Sequence, residues 1–537
     1  MRKLPATAVL GLAGLLLSGC AAGPAYGPYP PAPTPSAYEQ LARDVEGHLL
    51  TNVLPAWYPR CIDRDSGGFY ATFDRNWRRG RDNPKSIVFQ ARMTWVAATV
   101  AMEYPRLAGE YRRYAAHGAR FLRRRMWDPG QGGFFWALSE TLAKPTRYDH
   151  EKHLYGHAFG IYALARAYRA TGHKADLELA VEAFRWMDRH GHDREHGGYF
   201  EALGLDGRPI PAHPGRPPHQ RRSVIGALYG GYKSMNAHIH ILEALTELYR
   251  ATGDATVKLR LAEMHQIVRD RIAVEPGCLN QFFTRDWRPL PYGDSFGHDI
   301  ETAFLLIEAA EALGLGDEPR TLAVARSLVD HALDYGWDDD RGGFYYEGSA
   351  TSADHDPRKS WWVQAEGLNV LLLMHELFCA RTNRYYRAFL KQWGFIDRCM
   401  IDHARGGWHE ITTADGRAIA GDKAHIWKAA YHNVRALTHV AKRLRRLAAR
   451  APRFGKLRAS RASRDSEAGS GTARMVAPKS FASIWRVQSD PSNHVPVNAP
   501  VPMTSYWGTP LTISYSTKLS PPVARKPWPC SVTVLLP

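Results

Sequence analysis

From Ser36 to about Arg446, apolar residues recur at helical spacing in one segment after another. The segments alternate in character. Those at 37–51, 107–126, 174–190, 255–273, 319–335 and 383–397 are amphipathic, as surface helices are. Those at 86–104, 151–170, 233–252, 297–313, 360–380 and 424–447 are apolar nearly all round, with polar residues gathered in their first turns. That predicts twelve helices in six hairpins, which form an open solenoid or close into a ring with the second helix of each pair inside. A turn recurs between them at roughly 65-residue spacing: Asp65-Ser66-Gly67-Gly68-Phe69-Tyr70, Gly132-Gly133-Phe134, Gly197-Gly198-Tyr199, Gly342-Gly343-Phe344 and Gly406-Gly407-Trp408. In the one double-length gap, Glu275-Pro276-Gly277-Cys278 followed by Gln281-Phe282-Phe283 reads as a degenerate copy. Paired glycines permit a tight turn, and the aromatic after them suits a short strand.

Inner helices of a ring run parallel, so their first turns meet at one rim. Those turns carry Arg92; Tyr155 and His157; Asn236, His238, His240 and Glu243; His298 and Glu301; Trp361, Trp362 and Glu366; and Trp427 and His432. His298 and Glu301 stand three residues apart and share a helical face. Two histidines across a cavity suit removal and return of a proton on two faces of one carbon. An arginine beside them can stabilise the oxyanion formed when a carbon next to a carbonyl loses its proton. Flat indole rings suit stacking on the CH-rich faces of sugars. No metal site is expected: His238 and His240 are two residues apart and do not share a face, and no His-Glu-x-x-His occurs. The partner of His240 on its own face is Asn236 or Glu243.

The net charge of +17 suggests a nucleic-acid partner until it is located. Sixteen Lys/Arg and only three Asp/Glu lie from Lys442 onward, which leaves about +4 for everything before. No nucleic-acid partner is expected. The N-terminus reads as a targeting segment: Arg2 and Lys3, the apolar run Ala6–Leu17, then Leu17-Ser18-Gly19-Cys20, which resembles a bacterial lipobox. The resemblance implies a lipoprotein signal over residues 1–20 that is cleaved ahead of Cys20, lipidation of Cys20 as the first residue of the mature protein, and a lipid-anchored protein of the bacterial cell envelope, on the periplasmic side. Residues 21–36 form a Pro-rich tether, 37–449 the helical domain, and 450–537 a basic, Pro-rich tail expected to be largely disordered. The cysteines show neither CxxC nor zinc spacing, so no disulfide framework follows.

Five motifs in order, spread over Tyr38 to Arg446, resemble the N-acylglucosamine 2-epimerase superfamily and within it the cellobiose 2-epimerases. They are Gln90-Ala91-Arg92, Met235-Asn236-Ala237-His238-Ile239-His240 with Glu243, Gly297-His298-Asp299-Ile300-Glu301, Trp361-Trp362-Val363-Gln364-Ala365-Glu366 and Trp427-Lys428-Ala429-Ala430-Tyr431-His432-Asn433. The resemblance implies an all-α (α/α)6 barrel with short strand-like connections at its rim. It also implies cofactor-free epimerisation at C2 of a reducing-end sugar, by a monomer or weak oligomer. By it, His298 and His432 are the two acid–bases, His240 serves ring opening, Glu301 supports His298, and Arg92 holds the enediolate oxygen. Trp362 and Trp427 stack on the sugar, and Trp361, Asn236, Glu243 and Tyr155 complete the binding set. Phe135 stands where a tyrosine is expected, and Gly207 to Ser223 resembles a basic insertion, so the sugar stays open. Mannose 2-epimerisation and aldose–ketose isomerisation use the same enediolate. An (α/α)6 glycoside hydrolase would need a carboxylate pair from Glu243, Glu301 and Glu366. A lipid-anchored sugar-binding protein would need the tryptophans only.

Overall fold

The computed structural model describes residues 33–140, 142, 151–210, 232–290 and 293–465, with the short pairs 503–504 and 510–511. The leader, Cys20, most of the tether, the core of the 207–223 insertion and most of the tail lie outside the described residues.

Thirteen helices follow in order: α1 (Pro35–His48), α2 (Leu54–Trp57), α3 (Ile87–Glu103), α4 (Ala108–Phe121), α5 (Leu154–Thr171), α6 (Lys174–Gly191), α7 (Met235–Thr252), α8 (Ala255–Ile267), α9 (Phe296–Leu313), α10 (Pro319–Tyr335), α11 (Trp361–Phe378), α12 (Arg384–Phe395) and α13 (Tyr431–Asp465). A wide turn over Leu49–Val53 joins α1 and α2 into one element, which gives twelve. The apolar helices are the inner ones. Every residue from Ile87 to Ala101 of α3 and from Trp361 to His375 of α11 is buried. Neighbouring inner helices touch all the way round, α3–α5–α7–α9–α11–α13 and back to α3, so the ring is closed. This is the (α/α)6 barrel.

Three expectations need correction. The tight antiparallel pairs run from inner helix to the next outer one, α3 with α4, α5 with α6 and so on, and α1 closes on α13. Connections such as 104–107 are only a few residues long and force that pairing, whereas the glycine turns lie in the long connections. The sixth inner helix begins at Tyr431, not at 424, because Lys428 is buried ahead of it and donates to the carbonyl oxygens of Trp408 and Asp422. It also continues to Asp465, through the first part of the segment expected to be unstructured.

Five of the six long connections are built alike. Asp63 caps its turn by accepting from the N–H groups of Asp65 and Ser66, and Phe69 pairs back with Ile62 as a one-bridge strand. A buried lysine two residues before the inner helix then reaches the turn aspartate: Lys85–Asp63 at 2.6 Å, Lys152–Asp128 at 2.8 Å, Lys233–Asp193 at 2.9 Å and Lys359–Asp338 at 2.7 Å. Lys423–Asp402, at 2.7 Å, makes the same pair ahead of α13. The fourth residue of the helix binds the N–H of the turn aromatic: Gln90 to Phe69, His157 to Phe134, His238 to Tyr199 and Gln364 to Phe344. These fixings hold the first turns of α3, α5, α7 and α11, where the polar residues are, at a common level.

Candidate active site

At that level a cavity opens on the barrel axis. Arg92 reaches it from α3, Tyr155 from α5, Asn236 and His240 from α7, and His298 and Glu301 from α9. Trp361 and Trp362 come from α11, with Trp427, His432 and the connecting-loop Tyr346 closing the wall. The rim anticipated from the first turns is thus assembled.

The three imidazoles share one arrangement. His240 Nδ1 lies 3.0 Å from Glu243, His432 Nδ1 lies 2.8 Å from Glu366, and His298 Nδ1 lies 2.7 Å from the Ser295 hydroxyl. With Nδ1 engaged, Nε2 is the nitrogen left to the cavity. Burial lowers His298 to about 4, against a raising influence from Glu301. Burial also pushes His432 well below its ordinary value, opposed by Glu301 and reinforced by Arg92 and Arg435. Both rings therefore stand neutral near pH 7 and can accept a proton. Both also contact one indole, with ring centres 4.9 Å (His298) and 5.7 Å (His432) from Trp362. Gly297 makes room for that indole, since a β-carbon there would sit 2.4 Å from it.

Arg92 donates to the Trp427 carbonyl at 3.1 Å and to the Tyr155 hydroxyl at 3.0 Å, and its guanidinium lies 4.5 Å from the centre of the Phe159 ring. It is a fixed cation at the cavity wall, close to the Phe159 and Tyr431 rings.

Beneath the histidines lies a residue the sequence reading missed. Arg435, one turn after His432, is almost fully buried and donates to Glu243, Glu301 and Glu366. Burial would raise the Glu243 carboxyl, but Arg435 with His240 and Tyr431 holds it at about 2. Burial lifts Glu366 above the usual range even with Arg435 beside it. One guanidinium serves three carboxylates, and Glu366 is the one left short of charge. The available signal was an arginine at helical spacing from His432 on a helix otherwise apolar around it.

Several expected roles shift with this geometry. Glu301 lines the cavity but bonds Arg435, and its carboxylate is 4.0 Å from His432, so the hydrogen-bond partner of His298 is Ser295 instead. Glu243 stands behind His240 rather than in the wall, because Arg435 and Tyr431 draw it inward. His157 is not at the rim: it binds the Phe134 N–H and stacks on Trp186 at 4.7 Å. His238 serves the same structural purpose at Tyr199.

A closed (α/α)6 barrel with histidines, an arginine and indoles converging on one axial cavity defines a class of carbohydrate epimerases and isomerases. The model of the N-acylglucosamine 2-epimerase family matches residues 67–436, and the chain belongs to that family. It is 33% identical to a cellobiose 2-epimerase of Bacteroides fragilis, over 74% of this chain and 97% of that one. It is 26% identical to a D-mannose isomerase of Marinomonas mediterranea, over 74% and 97%. Among solved structures, a cellobiose 2-epimerase of Spirochaeta thermophila superposes with a TM-score of 0.67 at 32% identity, covering 76% of this chain and 98% of the other.

Proposed function

We propose that the chain interconverts the C2 configuration of a reducing-end glucose or mannose unit, with a cellobiose-type disaccharide as substrate. The observation that carries this is the pair His298 and His432, two neutral imidazoles in one cavity with Nδ1 engaged and Nε2 left to the substrate. After ring opening, which His240 assists, one imidazole takes the C2 proton. The electron pair moves into a cis-enediolate whose oxygen is stabilised by Arg92. The C1–C2 end turns, and the other imidazole returns a proton to C2 on the opposite face. Trp362 and Trp427 hold the sugar by stacking, with Trp361, Asn236 and Tyr155 beside them. Glu243, Glu301 and Glu366 are all tied to Arg435, so no carboxylate pair is free to straddle a glycosidic bond, which argues against hydrolysis. Similarity to D-mannose isomerases supports a second reading, in which the same enediolate is protonated at C1 to give a ketose.

The test is NMR of the protein incubated in deuterated water with cellobiose, and separately with mannose. Deuterium at C2 together with the epimer supports the first reading, and a ketose labelled at C1 supports the second. Cleavage without exchange at C2 overturns both. From Leu17-Ser18-Gly19-Cys20 we further propose that the mature chain is lipid-anchored in the envelope through Cys20.

A further inference from the structure

The fourth long connection breaks the rule that the others follow. Where Lys85, Lys152, Lys233 and Lys359 stand two residues before their helices, Asp294 stands two residues before α9. Register of the short pair Ala273–Val274 with Cys278–Leu279 puts Val274 in the place of the turn aspartate and Cys278 in the place of the second glycine. The fourth helical residue, a glutamine or histidine elsewhere, is Asp299. So the ammonium group that fills this position in the other connections is replaced by a carboxylate, and a second carboxylate and a thiol are added.

From α10, His331 completes the group. The ligand atoms of Cys278, Asp294 and His331 all lie within 4.8 Å of one another, and His331 Nδ1 is 3.7 Å from Asp294 and 3.5 Å from Asp299. His331 Nε2 sits 2.9 Å from the Ala350 carbonyl, which can only accept, so Nε2 carries the hydrogen. Nδ1 then turns a lone pair toward two carboxylates. Asp294 Oδ2, both oxygens of Asp299 and His331 Nδ1 make no hydrogen bond of good geometry, although the two carboxyls approach each other and the Leu279 N–H approaches Asp299, and these three side chains are at most 5% exposed. Among the described residues no lysine or arginine pairs with either carboxylate. Burial and mutual repulsion raise the Asp294 carboxyl, and burial raises Asp299.

We propose that Cys278, Asp294, Asp299 and His331 form a structural site for a divalent cation of the zinc type. Its donors are one thiolate, two carboxylates and one imidazole Nδ1, a set suited to zinc. In a four-coordinate zinc site neighbouring donors lie about 3.3–3.7 Å apart, and the two His331 distances fall in that range while being too long for hydrogen bonds. The contact of Nε2 with a carbonyl is the usual outer support of a metal-bound histidine. Binding releases the thiol proton and any proton shared by the carboxyls. The cation restores the positive charge that lysine supplies elsewhere and joins the turn at Cys278, the head of α9 and α10. Since Ser295 and His298 follow Asp294 directly, the site positions one of the proposed acid–bases without touching substrate.

The test uses the full chain, purified without chelators after growth with zinc, with metal content measured by elemental analysis. About one zinc per chain is expected. After chelation, titration with Co2+ should give a sulfur-to-cobalt charge-transfer band and the intense visible bands of a tetrahedral site. Cys278→Ser should abolish the charge-transfer band and weaken Zn2+ binding at least tenfold in competition with a chromophoric chelator. Cys278→Ser tests this thiol against the other cysteines, and the wild-type measurements stand if that variant fails to fold. Less than a tenth of an equivalent of zinc, with no chelator-competitive binding by the wild-type chain, would overturn the proposal and leave a carboxyl pair sharing a proton. A charge-transfer band that survives in Cys278→Ser would overturn it equally.

Discussion

Replacing Arg435 by methionine keeps most of the side-chain volume and removes the one cation shared by Glu243, Glu301 and Glu366. Three buried carboxylates cannot remain ionised together without it. Protonating one carboxyl of ordinary affinity at pH 7 costs about 3 kcal/mol, at roughly 1.4 kcal/mol per pH unit. Tyr431 and His240 can still hold Glu243 ionised, so one or two of the others must take up a proton. The expected loss is therefore about 3 kcal/mol for one proton and about 6 for two at pH 7, around the usual 3–5 kcal/mol for stranding a buried charge and a large part of the stability of a typical domain. The pH dependence between 7 and 5 should also change, because Glu243 adds no slope there in the parent. In the parent, Glu243 is held near 2, so its contribution is present above about pH 4.5 and lost as pH falls toward 2. In the variant the buried carboxyls bind protons more tightly in the fold than in the unfolded chain, so stability should rise as pH falls from 7 to 5. Urea unfolding at both pH values measures this. An Arg435→Met protein within about 1 kcal/mol of the parent, with the same pH slope, would refute the account of the charge cluster. Arg435→Lys should fall between, since an ammonium cannot fork to three carboxylates.

Burial holds the His298 imidazole at about 4, so it stays neutral on acidification well past the pH at which a free histidine charges. The acid limb of kcat/KM should lie below pH 5, and a limb centred near 6.5 would contradict the burial argument. The same depression makes His298 a source of acid instability: its contribution is whole above about pH 6.5 and declines as pH falls toward 4. Trp362→Ala should raise KM about tenfold, the worth of one stacked ring at roughly 1–2 kcal/mol, while Trp186→Phe, remote from the cavity, should leave KM unchanged. Lys359→Met strands Asp338 under the fifth inner helix and should cost about 3–5 kcal/mol, read as a lower urea midpoint. Cys20→Ser should move the protein from the membrane to the soluble fraction and abolish labelling by a fatty-acid analogue, and unchanged membrane association would contradict the anchor.

Much of the barrel was legible because its signals are one-dimensional. The all-round apolar runs of α3 and α11 could only be inner helices, and the glycine–aromatic turn announced itself five times. Even the degenerate copy at Gly277 was visible from its spacing, although its consequence, a cluster of acids where lysines belong, needed the register of the turn. Partners escaped for a different reason. Which helix pairs with which depends on connection length rather than on periodicity, so the hairpins were grouped across the long turns. At the site, residue types and levels were readable from the first turns, but hydrogen-bond partners were not. Glu301 looked like the support of His298 because they share a face. Arg435, 134 residues away in sequence, claims that carboxylate instead, and Ser295 takes the imidazole. Trp427 and His432 were read into one helix because the buried Lys428 that keeps the helix from starting earlier leaves no mark in the periodicity.

The central claim is that two imidazoles work on opposite faces of one carbon. Its most direct test is C2 exchange in deuterated water by His298→Ala and His432→Ala, each given the two C2 epimers of the preferred sugar separately. Conversion between epimers should fall by at least about 100-fold in both variants, the usual worth of a positioned acid–base. Each variant should still exchange the C2 hydrogen of one epimer, the one whose C2–H faces the remaining histidine, and the two variants should differ in which epimer that is. Epimer conversion within tenfold of the parent in either variant, or exchange of the same epimer by both, would contradict the two-histidine account.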